Sequence, residues 1–206
     1  MHFTMSTIML AFAFLAVTIG AQASKPSFCG PDCPPYTVVQ SGTGYELRKY
    51  EKASWATVAM SGSTYGDAMG VSFDKLFQYI QGSNVEREKI PMTAPVLGKV
   101  MMDDSFEFTG DFEISFYVPG SAIAPLSGSG ISITETPEDF EVYVAWFGGW
   151  ASKDDWEGAV EDLTEKLDAA GLGYDASHYY TAGYNGPFRL KNRHNEVWIV
   201  KKDGTL

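Results

Sequence analysis

Basic residues are scarce in this chain: 15 lysines and arginines stand against 26 aspartates and glutamates, a net charge of −11. That balance excludes a general nucleic-acid binder, whose footprint is a basic face, and it disfavours anionic membrane surfaces. An anionic ligand would have to be met by a local basic patch working against the overall field. Histidine is rarer still, with three in the whole sequence, and no HExxH, CxxC or Cys/His cluster is present. A structural or hydrolytic zinc site therefore lacks its ligands. There is no G-x-S-x-G elbow and no phosphate-cradling glycine loop, so nucleophilic hydrolysis and nucleotide binding have no local signature. The many acids mark out no glycosidase pair. Asp154-Asp155 suits the first turn of a helix, and Glu161-Asp162 a solvated face.

The first 23 residues contain no Asp, Glu, Lys or Arg, and Ile8 to Ile19 form an apolar run. With Ala21-Gln22-Ala23 before Ser24, the segment reads as a secretory signal peptide over residues 1–23. The run is shorter than the roughly 20 apolar residues of a spanning helix, so an uncleaved anchor is the weaker reading. Cleavage leaves 206 − 23 = 183 residues, enough for one domain with a sizeable core. No second apolar stretch is long enough to span, so no membrane partner is expected after cleavage. Both cysteines fall in Cys29-Gly30-Pro31-Asp32-Cys33. In an exported chain that spacing favours a small disulfide loop, here a staple for an N-terminal arm over residues 24–44.

Beyond the arm the chain reads as two similar halves, about 45–118 and 140–202. Thr37 to Gln40 and Tyr45 to Ser61 have strand composition. Met69, Phe73, Leu76, Phe77 and Ile80 give Asp67 to Gln81 a helical stripe that Gly82 ends. Ile90 to Met102 and Phe112 to Val118 follow as strands, the first confined to an edge or bulge by Pro91 and Pro95. Phe140 to Trp150 then alternates as a strand. Ser152 with Asp155 opens a helix striped by Trp156, Ala159, Val160, Leu163, Leu167 and Ala170, and strands follow at His178 to Tyr184 and Glu196 to Lys201. Thr93-Ala94-Pro95 corresponds to Thr181-Ala182-Gly183 in this repeat. The Gly/Ser/Pro-rich segment from Pro119 to Gly130 joins the halves. A duplicated strand–helix–strand–strand unit follows, and two such units remove open edges by closing on each other.

One passage is more specific than any composition. Tyr179-Tyr180-Thr181-Ala182-Gly183-Tyr184-Asn185-Gly186-Pro187-Phe188 is followed by Arg189, Lys191 and Arg193 and then by Asn195-Glu196-Val197-Trp198. Aromatics beside a flexible turn and positive charges suit a flat ligand with anionic edges. The wording resembles the SOUL heme-binding family, as do Tyr45-Glu46-Leu47-Arg48-Lys49-Tyr50, Lys89-Ile90-Pro91-Met92-Thr93-Ala94-Pro95-Val96 and Phe147-Gly148-Gly149-Trp150. These blocks run in family order from Tyr36 to Lys202. The resemblance implies an α+β fold: a distorted β-barrel of two pseudo-symmetric repeats with two helices packed outside. It also implies a noncovalent heme or other tetrapyrrole as ligand and no catalysis.

On that reading Met69, Phe73 and Phe77 serve either as core or as lining for an external groove. The Tyr184 to Phe188 turn closes over it, and Lys75, Arg87, Arg189 or Lys191 reach the propionates. Lys49 occupies the place where some relatives carry a histidine, which removes the plainest axial ligand. His178 and His194 remain as metal candidates, with simple solvation as the alternative for each. The competing function on the same architecture is an effector-binding domain for other hydrophobic small molecules, or a small hydrolase. No motif for a protein partner is present.

Overall fold

Thr64 and Ser152 start the two helices through their hydroxyls. In the computed structural model, which describes residues 26–29, 32–103 and 108–202, α1 spans Tyr65–Ile80, with the Thr64 side chain accepting from the Asp67 amide. Helix α2 spans Lys153–Ala169, where Ser152 and Asp155 cap each other reciprocally. Such caps satisfy amide donors that the first helical turn leaves open. Each helix buries one stripe: Ala68, Ser72, Leu76, Tyr79 and Ile80 on α1, and Trp156, Leu163 and Leu167 on α2.

Nine strands complete the fold: β1 Tyr36–Gly42, β2 Tyr45–Tyr50, β3 Ser54–Met60, β4 Val96–Met102, β5 Phe108–Val118, β6 Ser132–Glu135, β7 Phe140–Phe147, β8 His178–Gly183 and β9 Asn195–Val200. They form one sheet in the order β1-β2-β7-β9-β8-β4-β5-β3-β6. At its centre β4 and β8 pair antiparallel, with Gly98 opposite Thr181. About that pair the units β3-α1-β4-β5 and β7-α2-β8-β9 take mirrored places, so the duplicated unit is present as topology. Its first copy starts at β3, not at Tyr45. The expected strand from Tyr45 to Ser61 breaks at residues 51–53, because β2 pairs with β7 of the other half while β3 pairs with β5. The proposed residue correspondence also fails: Thr93 to Pro95 precede β4, whereas Thr181 to Gly183 end β8.

The barrel expectation holds only in part. The sheet curls until Trp55 and Leu97 from one half share a cluster with Val142, Val144 and Trp198 from the other. Its hydrogen bonding does not close, however, and β1 and β6 remain as edges. The short β6 contributes mainly exposed polar residues, which blunts that edge. Outside the curl, α1 covers Ala56, Val58, Ile114 and Phe116, and α2 covers Tyr143, Val197 and Ile199. Each fully buried residue of this size contributes about 1.5–3 kcal/mol. Among the described residues no helix is long and apolar enough to cross a membrane. The signal-peptide reading of residues 1–23 lies outside the described residues.

Candidate functional site

Four residues of α1 spaced four apart, Tyr65, Met69, Phe73 and Phe77, form one ridge that the core stripe leaves uncovered. Phe73 and Phe77 stack at 6.0 Å with their rings 10° apart, and Phe73 meets Phe116 edge-on. Trp150, Pro187, Arg193 and residues 183–186 line the same space as the ridge, as do Met92, Thr93 and Ala94. Together they bound an open groove of about 530 Å³. Its size and its mostly apolar lining with a few placed polar groups match the usual small-molecule site.

Arg193 defines the polar edge of this groove. Its guanidinium lies 3.9 Å from the Trp150 ring centroid. Nη1 donates to the Gly186 and Arg189 carbonyls, and Nη2 to the Asn185 carbonyl. The side chain thus pins the 185–189 turn by neutral acceptors while keeping its charge. Among the described residues no carboxylate pairs with it, and its Nε is buried without a partner. A cation held rigidly over an indole beside an apolar groove suits an anionic substituent on a flat ligand.

The sequence-named residues do not all meet at the groove. Met69, Phe73, Phe77 and Tyr184 line the groove. Phe188, Arg189 and Lys191 lie in the turn, with Phe188 96% exposed, and none of the three lines the groove. Lys75 approaches Gly130, and Lys49 pairs with Asp139 at 2.6 Å on the far half of the sheet. Neither lines the groove. Trp150, Met92, Arg193 and Asn195 do, and they were not singled out as site residues. Trp150 had a signal, because the Gly148-Gly149 turn before it aims a large aromatic outward.

Both histidines sit elsewhere. His178 starts β8, where its ring meets Tyr180 edge-on and Ser177 Oγ at 3.0 Å. Burial and then the Lys99 charge lower its pKa to about 4, so it is neutral at ordinary pH. His194 stacks under Phe28 at 3.6 Å and bonds Glu196 through Nε2 at 2.7 Å. Glu196 is wholly buried and accepts four hydrogen bonds, the others from Arg48, Tyr184 and Trp198. Burial raises its carboxyl, but the His194 hydrogen bond and the Arg48 charge outweigh that and hold it below the ordinary Glu value. All four lone-pair sites of the carboxylate are taken. The arm closes this end of the curl: Phe28 meets Tyr184 edge-on, the Ala94 amide donates to the Asp32 carbonyl, and Cys29 pairs with Cys33.

Comparison with known proteins agrees with this architecture. The pattern of the family described as SOUL heme-binding protein matches residues 31–200. Human heme-binding protein 2 is 35% identical over 163 residues, covering 77% of this chain and 78% of the relative. Mouse heme-binding protein 1 is 30% identical over 175 residues, covering 81% and 91%. Among solved structures, the C-terminal domain of EcmrR superposes with a TM-score of 0.62 at 10% identity, covering 78% of this chain and 98% of that one. A hydrolase from Listeria innocua superposes with a TM-score of 0.53 at 9% identity, covering 80% and 94%. At such identities the two superpositions show fold alone.

Proposed function

The chain belongs to the SOUL heme-binding protein family, and from that premise we propose that it binds heme or a related tetrapyrrole noncovalently in the groove beside α1. The observation that carries this reading is the pairing of the Met69–Phe73–Phe77 ridge with an unpaired Arg193 held over Trp150. The ridge supplies a face for the macrocycle, and Arg193 supplies the partner for a propionate. Met69, Met92 and Tyr184 border the same space, whereas neither described histidine does. Iron ligation by histidine is therefore not part of this reading.

Burying about 300 Å² of porphyrin at roughly 25 cal/mol/Å² gives about 7 kcal/mol. Association costs at least about 4 kcal/mol, and the one propionate contact that Arg193 can make returns about 2 kcal/mol of it. The net of about 5 kcal/mol corresponds to an affinity of roughly 0.2 mM. Hemin titration followed at the Soret band tests the reading: a saturable shift below millimolar hemin is expected, and its absence sinks it. The effector-binding and hydrolase reading has only fold likeness behind it. Glu196, wholly buried, has its oxygens already engaged by Arg48, Tyr184, Trp198 and His194 and is not free to pair with a cationic ligand.

Export belongs to the same proposal. Removal of the uncharged leader before Ser24 would deliver the chain to an oxidising compartment, and the Cys29–Cys33 pairing supports that. Intact mass of material from the host's medium decides it. A mass retaining residues 1–23 would exclude cleavage.

A further inference from the structure

A second chamber of about 600 Å³ adjoins the groove, and Tyr65, Met69, Ala151 and Trp156 border both spaces. It lies over the central β4–β8 pair, between the first turns of the two helices. Val100, Phe112, Tyr179 and Trp156 form its apolar wall, and each is buried.

Most polar side chains around this chamber are already spent on one another. Tyr65 Oη and Thr181 Oγ1 are hydrogen bonded at 2.8 Å, and Thr181 also donates to the Gly98 carbonyl. Thr64 bonds Asp67, and Ser152 bonds Asp155, within their caps. Lys153 pairs with Glu157 one turn on, and the Ser63 hydroxyl donates to the Thr64 carbonyl. The Tyr179 hydroxyl and the Trp156 indole N–H are the exceptions in the lining. Beyond those two, a polar occupant would have to break these bonds to gain its own, while a hydrocarbon leaves them in place. The neighbouring groove is the opposite case, since it keeps the charge of Arg193.

Resting on the tetrapyrrole reading above, we propose that this site is built for a tetrapyrrole carrying a long hydrocarbon side chain, with the macrocycle in the groove and the chain in the second chamber. Two joined spaces divide the work: one has a charged rim, and the other is walled by Val100, Phe112, Tyr179 and Trp156 with most of its polar groups paired off. Burial of each further methylene tightens binding, so a tailed ligand should outcompete the same macrocycle without its tail.

The test uses two probes that share a macrocycle and both propionates, hemin and heme O, the second carrying a farnesyl chain in place of one vinyl group. Gly66 borders the chamber, Gly70 lines neither space, and a Cβ at either meets nothing within 4 Å. Both positions are helical, where glycine is the poorer choice, so Gly66→Trp and Gly70→Trp should both fold. Heme O is expected to bind the unmodified protein at least tenfold more tightly than hemin. Gly66→Trp should reduce that ratio below threefold without changing hemin affinity, and Gly70→Trp should leave the ratio intact. Equal affinities in the unmodified protein, or a tail preference that survives Gly66→Trp, overturns the proposal and leaves the tetrapyrrole reading standing. Failure of both probes to bind overturns the tetrapyrrole reading and this inference with it.

Discussion

Arg193 does two things at once, and Arg193→Gln removes both. Its N–H groups fasten the turn through the Asn185, Gly186 and Arg189 carbonyls, while its charge faces the groove edge. Hydrogen bonds to charged groups are worth about 1.5–3 kcal/mol, so Arg193→Gln should weaken hemin binding by about tenfold or more. Arg189→Gln combined with Lys191→Gln should change it less than threefold, because neither side chain lines the groove. Parallel hemin titrations check both, and a larger loss in the double variant would move propionate capture to the loop tip. His178 bears on stability instead. Its folded pKa is lowered to about 4, against an unfolded value near 6.5. Between those values the unfolded chain binds the extra proton, so stability falls as pH drops from about 6.5 to about 4. Lys99 and Lys202 deepen the effect, and Asp175 opposes it. His178→Gln should flatten the urea midpoint over that window; an unchanged slope would show that His178 titrates normally.

At the scale of elements, the Arg48–Glu196 pair ties β2 to β9 across β7. Removing one partner of a buried pair strands the other, at a cost of about 3–5 kcal/mol. Glu196→Ala should therefore lower Tm by roughly 10 °C, given about 2–4 °C per kcal/mol at this size. Arg48→Met with Glu196→Met should recover only the part due to the stranded Arg48 charge, because the Tyr184 hydroxyl and the Trp198 indole N–H still lose their acceptor. Thermal melts of the three proteins check this. That pair also marks the limit of what the sequence discloses. Helix α1 was legible because its caps and stripe are local: Asp67 to Gln81 was expected and Tyr65–Ile80 is found. The break between β2 and β3 was not legible, because it is set by strands that lie far along the chain. Strand β6 has no local signal either, since Ser132 to Glu135 has one apolar residue and borrows its order from β3. In the site, the spacing of Met69, Phe73 and Phe77 announced a ridge. Which loop cation turns inward was hidden, because Arg189, Lys191 and Arg193 look alike until the turn folds around one of them.

For the whole molecule, two copies of one unit meet at β4 and β8, and the groove lies to one side of that junction. The copies therefore imply a second position, between α2 and the β4–β5 hairpin, where Met102, Phe108 and Tyr174 line a cavity of about 540 Å³. Where α1 presents Met69, Phe73 and Phe77, α2 presents Glu157, Glu161 and Asp168 to that space. Like charges repel a propionate there, on a chain already at −11. Duplication of the scaffold has not duplicated the seat. Hemin titrations should end at one equivalent per chain, and native mass spectrometry should show a single hemin adduct. A second equivalent of similar affinity would mean that the acidic copy still binds.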